Sequence, residues 1–340
     1  MYNPRDKVFG LLGLCSPSEG GWHGRLTVDY AKTTQDVYTR AVAAVLDAGD
    51  LSIYHFVPLQ PNKNATYGSV NRLDGTQGLP SWVPDFAREC ASSIYSPAKT
   101  DLCHLPWFLQ GERLVRNIKN CERAPKGLSR PTLHFSPDTT ILYSKGLCLG
   151  AITSASLVTL TPETPINVIS TVFEIYRTLA KDHDVDAASF LSLAAESDCN
   201  TKQHADMIQE LLEPSEYLHL LLETMSANGQ EPQDSTLYNL ACNILSVCLD
   251  ETIFVTDYGR LGRIYYHDPN DSVKIGDIVV GLFGVNLPFV LRPNENGTYR
   301  ILNLAFILDH ECKHDFLHNV GEGATWEEFE RYGIKEYAIV

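Results

Sequence analysis

Phe289-Val-Leu-Arg-Pro-Asn-Glu-Asn-Gly-Thr-Tyr-Arg-Ile-Leu-Asn-Leu-Ala-Phe-Ile-Leu308 reads as two strands around one turn. Phe289, Val290 and Leu291 form a short β-prone run, and Asn294-Glu-Asn-Gly297 supplies the turn chemistry. Tyr299 to Leu308 is a longer run rich in Ile, Leu and aromatic residues. Strands joined this tightly pair antiparallel. Working outward, residues 252–256, 262–266 and 277–283 carry the same signature, so 251–340 is predicted to form an antiparallel sheet and a tail.

Residues 132–160 add two or three strands, because Leu133, Phe135, Ile141, Tyr143, Leu147, Leu149 and Ile152 nearly alternate around a Pro137-Asp138 turn. They are expected to join 251–340 in one compact unit. Between them, residues 161–250 switch to a helical period, as in Ile166-Asn-Val-Ile-Ser-Thr-Val-Phe-Glu-Ile-Tyr-Arg177. Residues 1–131 open with two helices. The first has Asn3 as cap and Pro4 in its first turn; the second is capped by Thr33 or Thr34 and carries Val37, Tyr38, Ala41, Val42, Val45 and Leu46 on one stripe. A long irregular stretch follows over 58–131, anchored by Trp82, Phe86, Trp107 and Phe108. The fold class expected is α+β: a small antiparallel sheet or partial barrel with a helical subdomain packed against it.

Composition narrows the function. At 340 residues and 44% apolar content, the chain has enough to bury a sizeable core. A net charge of −15, from 42 acidic against 27 basic residues, disfavours nucleic acid, whose affinity rests on Lys and Arg. The longest apolar stretch, 278–291, is broken by Gly281, Gly284, Asn286 and Pro288, so no membrane span is expected. The N-terminus lacks a charged region followed by an apolar run, which makes a cytoplasmic address the expectation. The nine cysteines contain no C-x-x-C pair and read as reduced. Sequons at Asn64, Asn270 and Asn296 are then expected to stay unmodified.

Three blocks carry a family resemblance: Asn3-Pro-Arg-Asp-Lys-Val-Phe-Gly-Leu-Leu-Gly-Leu14, Val28-Asp-Tyr-Ala-Lys32 with Asp36-Val-Tyr38, and Leu79-Pro-Ser-Trp-Val-Pro-Asp-Phe86. In that order they resemble the stretch following the signalling domain of fungal heterokaryon-incompatibility (HET) proteins. A fourth block, Gly259 to Gly262 through Gly276, Gly284 and Pro288 to Arg292, is similar to that family's C-terminal sheet. The signalling domain's Ser-Tyr-x-Trp-Gly opening does not occur, so its activity is not expected. Arg5 and Asp6 are expected to serve as a pair or cap at the first helix, and Trp82 with its flanking prolines to fix an apolar loop.

Where the family shows a glycine-rich segment, this chain reads Asp309-His-Glu-Cys-Lys-His314, with titratable groups in place of glycines. Tyr266, His267, Asp309, His310 and His314 are therefore the candidate catalytic residues, and Trp22, Tyr265 and Phe306 the candidate substrate-binding residues. Some stand-alone relatives carry out norbornene-forming Diels-Alder chemistry in diterpenoid biosynthesis, and the resemblance implies a cofactor-free pericyclase acting on an apolar, terpenoid small molecule. A cycloaddition needs confinement and a hydrogen bond to a carbonyl, and neither a cofactor nor a metal. The alternatives are a non-catalytic partner of HET relatives and a zinc hydrolase, since His310-Glu311-x-x-His314 fits a zinc-protease signature. No Walker, dinucleotide or Gly-x-Ser-x-Gly motif is present.

Overall fold

The computed structural model describes residues 3–12, 26–47, 78–86, 133–158, 165–183, 185, 189–190, 193, 244, 248, 251–265, 272–282, 288–308, 326–331 and 333–340. Within them the elements run α1 (Asp6–Leu12), α2 (Thr34–Asp47), β1 (His134–Phe135), β2 (Leu142–Leu157), α3 (Pro165–His183), β3 (Glu251–Thr256), β4 (Leu261–Tyr265), β5 (Ile278–Leu282), β6 (Phe289–Pro293), β7 (Tyr299–Leu308), α4 (Trp326–Arg331) and β8 (Ile334–Ile339). The fold is α+β. Among the described residues, the pairings of β1, β3 and β8 with β2, of β3 and β7 with β4, and of β5 and β7 with β6 are antiparallel; Tyr299 to Ile339 is a parallel bridge, and β2 also pairs with β5. The chain divides into two compact units, one of residues 1–149, 278–304 and 313–340, the other of 150–277 and 305–312. β2 and β7 each begin in the first unit and end in the second.

In the first unit, Asn3 caps as expected: its Oδ1 accepts from the Arg5 amide at 3.1 Å. Thr33 is the cap of α2. Its hydroxyl accepts from the Asp36 amide at 3.1 Å, and Asp36 Oδ2 accepts from the Thr33 amide at 3.3 Å, which is a reciprocal capping box. The stripe Val37, Tyr38, Ala41, Val42 and Leu46 is buried and packs with Leu142, Val280, Leu282, Phe289, Leu291, Ile301, Tyr337 and Ile339 from the strands. Trp82 is wholly buried in the same core, its ring 5.4 Å from that of Phe135. Phe86 meets Tyr38 edge-on at 5.1 Å. Trp107 and Phe108, the other expected anchors, lie outside the described residues.

The β6–β7 hairpin forms where the turn chemistry puts it. The Gly297 amide donates to Asn294 O at 3.1 Å, and Gly297 has φ +79°, a left-handed backbone that glycine adopts without Cβ strain. Residues 132–160 make two strands, within the two or three expected: a two-residue β1 and a 16-residue β2. β2 changes partners along its length: β1 and β8 early, then β3. α4 and β8 were not anticipated in the tail.

In the second unit β3 is central, paired with the far half of β2 and with β4, and β4 pairs with the far half of β7. Ile253, Phe254 and Val255 are wholly buried, so both faces of β3 are covered. α3 packs against β3 and buries Val172, Phe173, Ile175 and Leu179. Helix therefore lies on sheet here, as the apolar period of 161–250 requires. Much of that region is outside the described residues.

Candidate functional site

The three N-terminal blocks meet in the first unit, and their contacts there are structural. Arg5 donates through Nη1 to the carbonyls of Tyr30 and Lys32, both at 2.6 Å, and its guanidinium lies over the Tyr30 ring. The Tyr30 hydroxyl donates to Asp6 at 2.6 Å, and that hydrogen bond raises the Tyr30 pKa above the usual phenol value. Arg5 and Asp6 thus tie α1 to the Val28–Lys32 block. The third block is tied to the sheet: the Ser81 hydroxyl donates to Val340 O and accepts from the Ile301 amide at 2.9 Å.

The second unit holds a different arrangement. On β4, Arg263 stands opposite Ile253 of β3 and Phe306 of β7, while Glu251 of β3 stands opposite Tyr265. Glu251 and Arg263 are therefore diagonal neighbours, a spacing that long side chains bridge. Arg263 Nη1 donates to Glu251 Oε2 at 2.8 Å, and the guanidinium carbon lies 5.0 Å from the Phe306 ring centroid. Only 5% of Arg263 and 15% of Glu251 is exposed. A cation here has been moved from water to a place between its cross-strand neighbours Ile253 and Phe306. Desolvation makes such pairs no more stabilising than apolar residues of similar size, so its place in the core calls for another reason. Its chemistry is that of a fixed hydrogen-bond donor in poorly hydrated surroundings, held on one side by a carboxylate and on the other by an aromatic face.

Of the residues expected from the sequence, Phe306 is found beneath this guanidinium, half-buried. Tyr265 is the last residue of β4. Trp22, Tyr266, His267, Asp309, His310 and His314 lie outside the described residues, as does the rest of the His310–His314 string. The register does fix where the strands β4 and β7 end. β4 and β7 run antiparallel with Leu261 opposite Leu308, so the chain leaves β4 at Tyr265 and β7 at Leu308 at opposite ends of the ladder. Four residues separate those ends along β4, about 14 Å at the usual strand rise.

Glu251 and Arg263 escaped the sequence reading. An arginine two residues from a strand's start and a glutamate at the start of the preceding strand look like solvent-facing residues until the β3–β4 register sets them on one diagonal. No family model, no characterised protein and no solved structure matches this chain. Among the described residues, no helix is long and apolar enough to cross a membrane.

Proposed function

We propose that this chain is a cytoplasmic relative of the HET proteins that catalyses a cofactor-independent cyclisation, an intramolecular Diels-Alder reaction on a terpenoid carrying a conjugated carbonyl. The supporting observation is the buried Arg263, clamped between Glu251 and Phe306. A cycloaddition moves no proton and forms no covalent bond to the protein. Its barrier falls when diene and dienophile are confined together and when a donor withdraws electron density from the dienophile through its carbonyl. Arg263 is such a donor, always charged and pre-oriented, so no reorganisation is needed as the transition state forms. Phe306 supplies an apolar face beside it. Tyr266, His267, Asp309, His310 and His314 stay the other candidate catalytic residues of this reading.

The test is cyclisation of a panel of diene-bearing terpenoid aldehydes and ketones, compared with the same reactions without protein. Arg263→Met should lower the accelerated rate by about 10- to 1,000-fold while leaving the residual effect of confinement. Arg263→Lys should recover part of the loss, since it keeps charge but not the planar fork. No acceleration over the whole panel, or undiminished rates in a folded Arg263→Met variant, refutes the proposal.

A further inference from the structure

We infer that Asn296, at the tip of the β6–β7 hairpin, is a self-modification site that deamidates through a cyclic imide and becomes isoaspartate. Ring closure needs the next residue's backbone nitrogen to reach the asparagine Cγ, which a small residue and a pliable backbone favour. Of the asparagines within the described residues, Asn3 precedes Pro4, whose nitrogen has no proton to give up, and Asn167 lies inside α3 before Val168. Asn294 precedes Glu295, and Asn303 is buried. Asn296 is exposed and precedes Gly297. Its Oδ1 accepts from the Thr298 amide at 3.1 Å and from the Thr298 hydroxyl at 2.7 Å. The first bond closes a ring that contains both Asn296 Cγ and the Gly297 nitrogen, so the two reacting atoms are kept within one turn. Both donors draw electron density from Cγ and stand where negative charge develops on Oδ1 as the nitrogen attacks. A Cβ at Gly297 would meet nothing within 4 Å, so the site is open to water. The Gly297 amide is held by a bond to Asn294 O at 3.1 Å, which must open first.

The Gly297 nitrogen loses its proton to hydroxide and bonds to Cγ; the Cγ–Nδ2 bond breaks, and ammonia leaves with a proton taken from water. Water then opens the imide. Opening at the Cγ carbonyl gives aspartate; opening at the main-chain carbonyl gives isoaspartate, whose backbone runs through Cβ and Cγ. The balance is one water consumed and one ammonia released, with no change of oxidation state. Sugar transfer to the same Asn296-Gly-Thr298 sequon needs an enzyme, and this reaction needs none. The added backbone carbon falls next to the pair Pro293 to Tyr299, where Tyr299 O accepts the Val340 amide at 2.9 Å. The partner this site fits is a carboxyl methyltransferase that reads isoaspartate in exposed turns.

The test keeps the full, folded chain for weeks at neutral pH in water enriched in heavy oxygen and follows the peptide carrying Asn296 by mass spectrometry. Isoaspartate is read by methyl transfer from S-adenosylmethionine with an isoaspartyl methyltransferase. The wild type should convert at Asn296 ahead of Asn294 and Asn303, each event adding one heavy oxygen, with isoaspartate in excess of aspartate. Asn228-Gly229, outside the described residues, is read on its own peptide and does not enter the comparison. Thr298→Val keeps the side-chain shape and the residue 298 amide but removes the hydroxyl, and should slow conversion about three- to tenfold. Gly297→Ala should nearly stop it; Thr298→Val decides the matter if alanine at φ +79° prevents folding. An Asn296 that stays intact in the folded chain, conversion to aspartate alone, or an unchanged rate in a folded Thr298→Val variant overturns the inference.

Discussion

Gly262 of β4 offers a sharp test of how the second unit is packed. It stands opposite Phe254, and a methyl group in its place would lie 2.4 Å from Phe254 Cζ and 2.8 Å from the Phe306 carbonyl oxygen. The first contact falls about 1 Å short of an ordinary van der Waals distance. Phe254 is wholly buried and has nowhere to swing, while the carbonyl belongs to the neighbouring strand of the ladder. Overpacking of this kind costs roughly 1–3 kcal/mol, and two simultaneous overlaps place Gly262→Ala near the top of that range. The intrinsic advantage of alanine over glycine in a strand offsets about 0.5–1 kcal/mol. A net loss of about 2 kcal/mol remains, or roughly 30-fold in the opening equilibrium. The four tryptophans, at positions 22, 82, 107 and 326, all belong to the first unit, so their fluorescence is a poor reporter. Amide hydrogen exchange over 252–255 and 261–265 reads the second unit directly. Phe254→Leu removes the ring tip but not the carbonyl overlap, so the double variant should be less destabilised than the sum of the singles, by about 1 kcal/mol. Exchange in Gly262→Ala within a factor of about two of wild type, or strict additivity in the double variant, would refute the packing argument.

Two further outcomes are expected. Ser81→Ala removes the acceptor of the Ile301 amide at a part-buried spot, while Val340 O keeps the Ser81 amide at 3.0 Å, and should cost about 1–3 kcal/mol in urea titrations followed by tryptophan fluorescence. In the β1–β2 turn, hydrogen bonds from the Ser136 hydroxyl, the Thr140 hydroxyl and the Thr140 amide hold the Asp138 carboxyl below its ordinary pKa. Its contribution is therefore complete above the ordinary carboxylate value and lost as pH falls through the lowered, folded-state value. The stability gap between wild type and Asp138→Asn should close only in that more acidic window; a gap independent of pH would contradict it.

Strands β3 to β7 were legible because each couples a β-prone apolar run to turn residues that act locally, Gly259 and Gly297 among them. Helices α1 and α2 were legible for the same reason: Asn3 and Thr33 make their capping bonds within three residues. β8 was not. Its Lys335 and Glu336 are exposed side by side, which spoils the alternation, and its partner Leu142–Leu147 is nearly two hundred residues away. The Glu251–Arg263 pair was hidden for a related reason, since the residue types were visible but the register that joins them was not. The opposite exits of β4 and β7 likewise follow from pairing and not from spacing along the chain.

The bond from Ser81 to Val340 spans 259 residues of sequence. During synthesis on a ribosome, the tryptophan loop of residues 79–86 emerges long before the strand that completes its surroundings. At typical translation speeds the interval is on the order of 10–50 seconds. Throughout it, the apolar stripe of α2 and the indole of Trp82 have only part of their eventual cover, and the nascent chain presents a sticky surface to whatever is nearby. Chaperone binding during synthesis is the expected consequence of this long-range closure. Its yield in a heterologous host should respond more to chaperone supply and slowed growth than to any stabilising substitution.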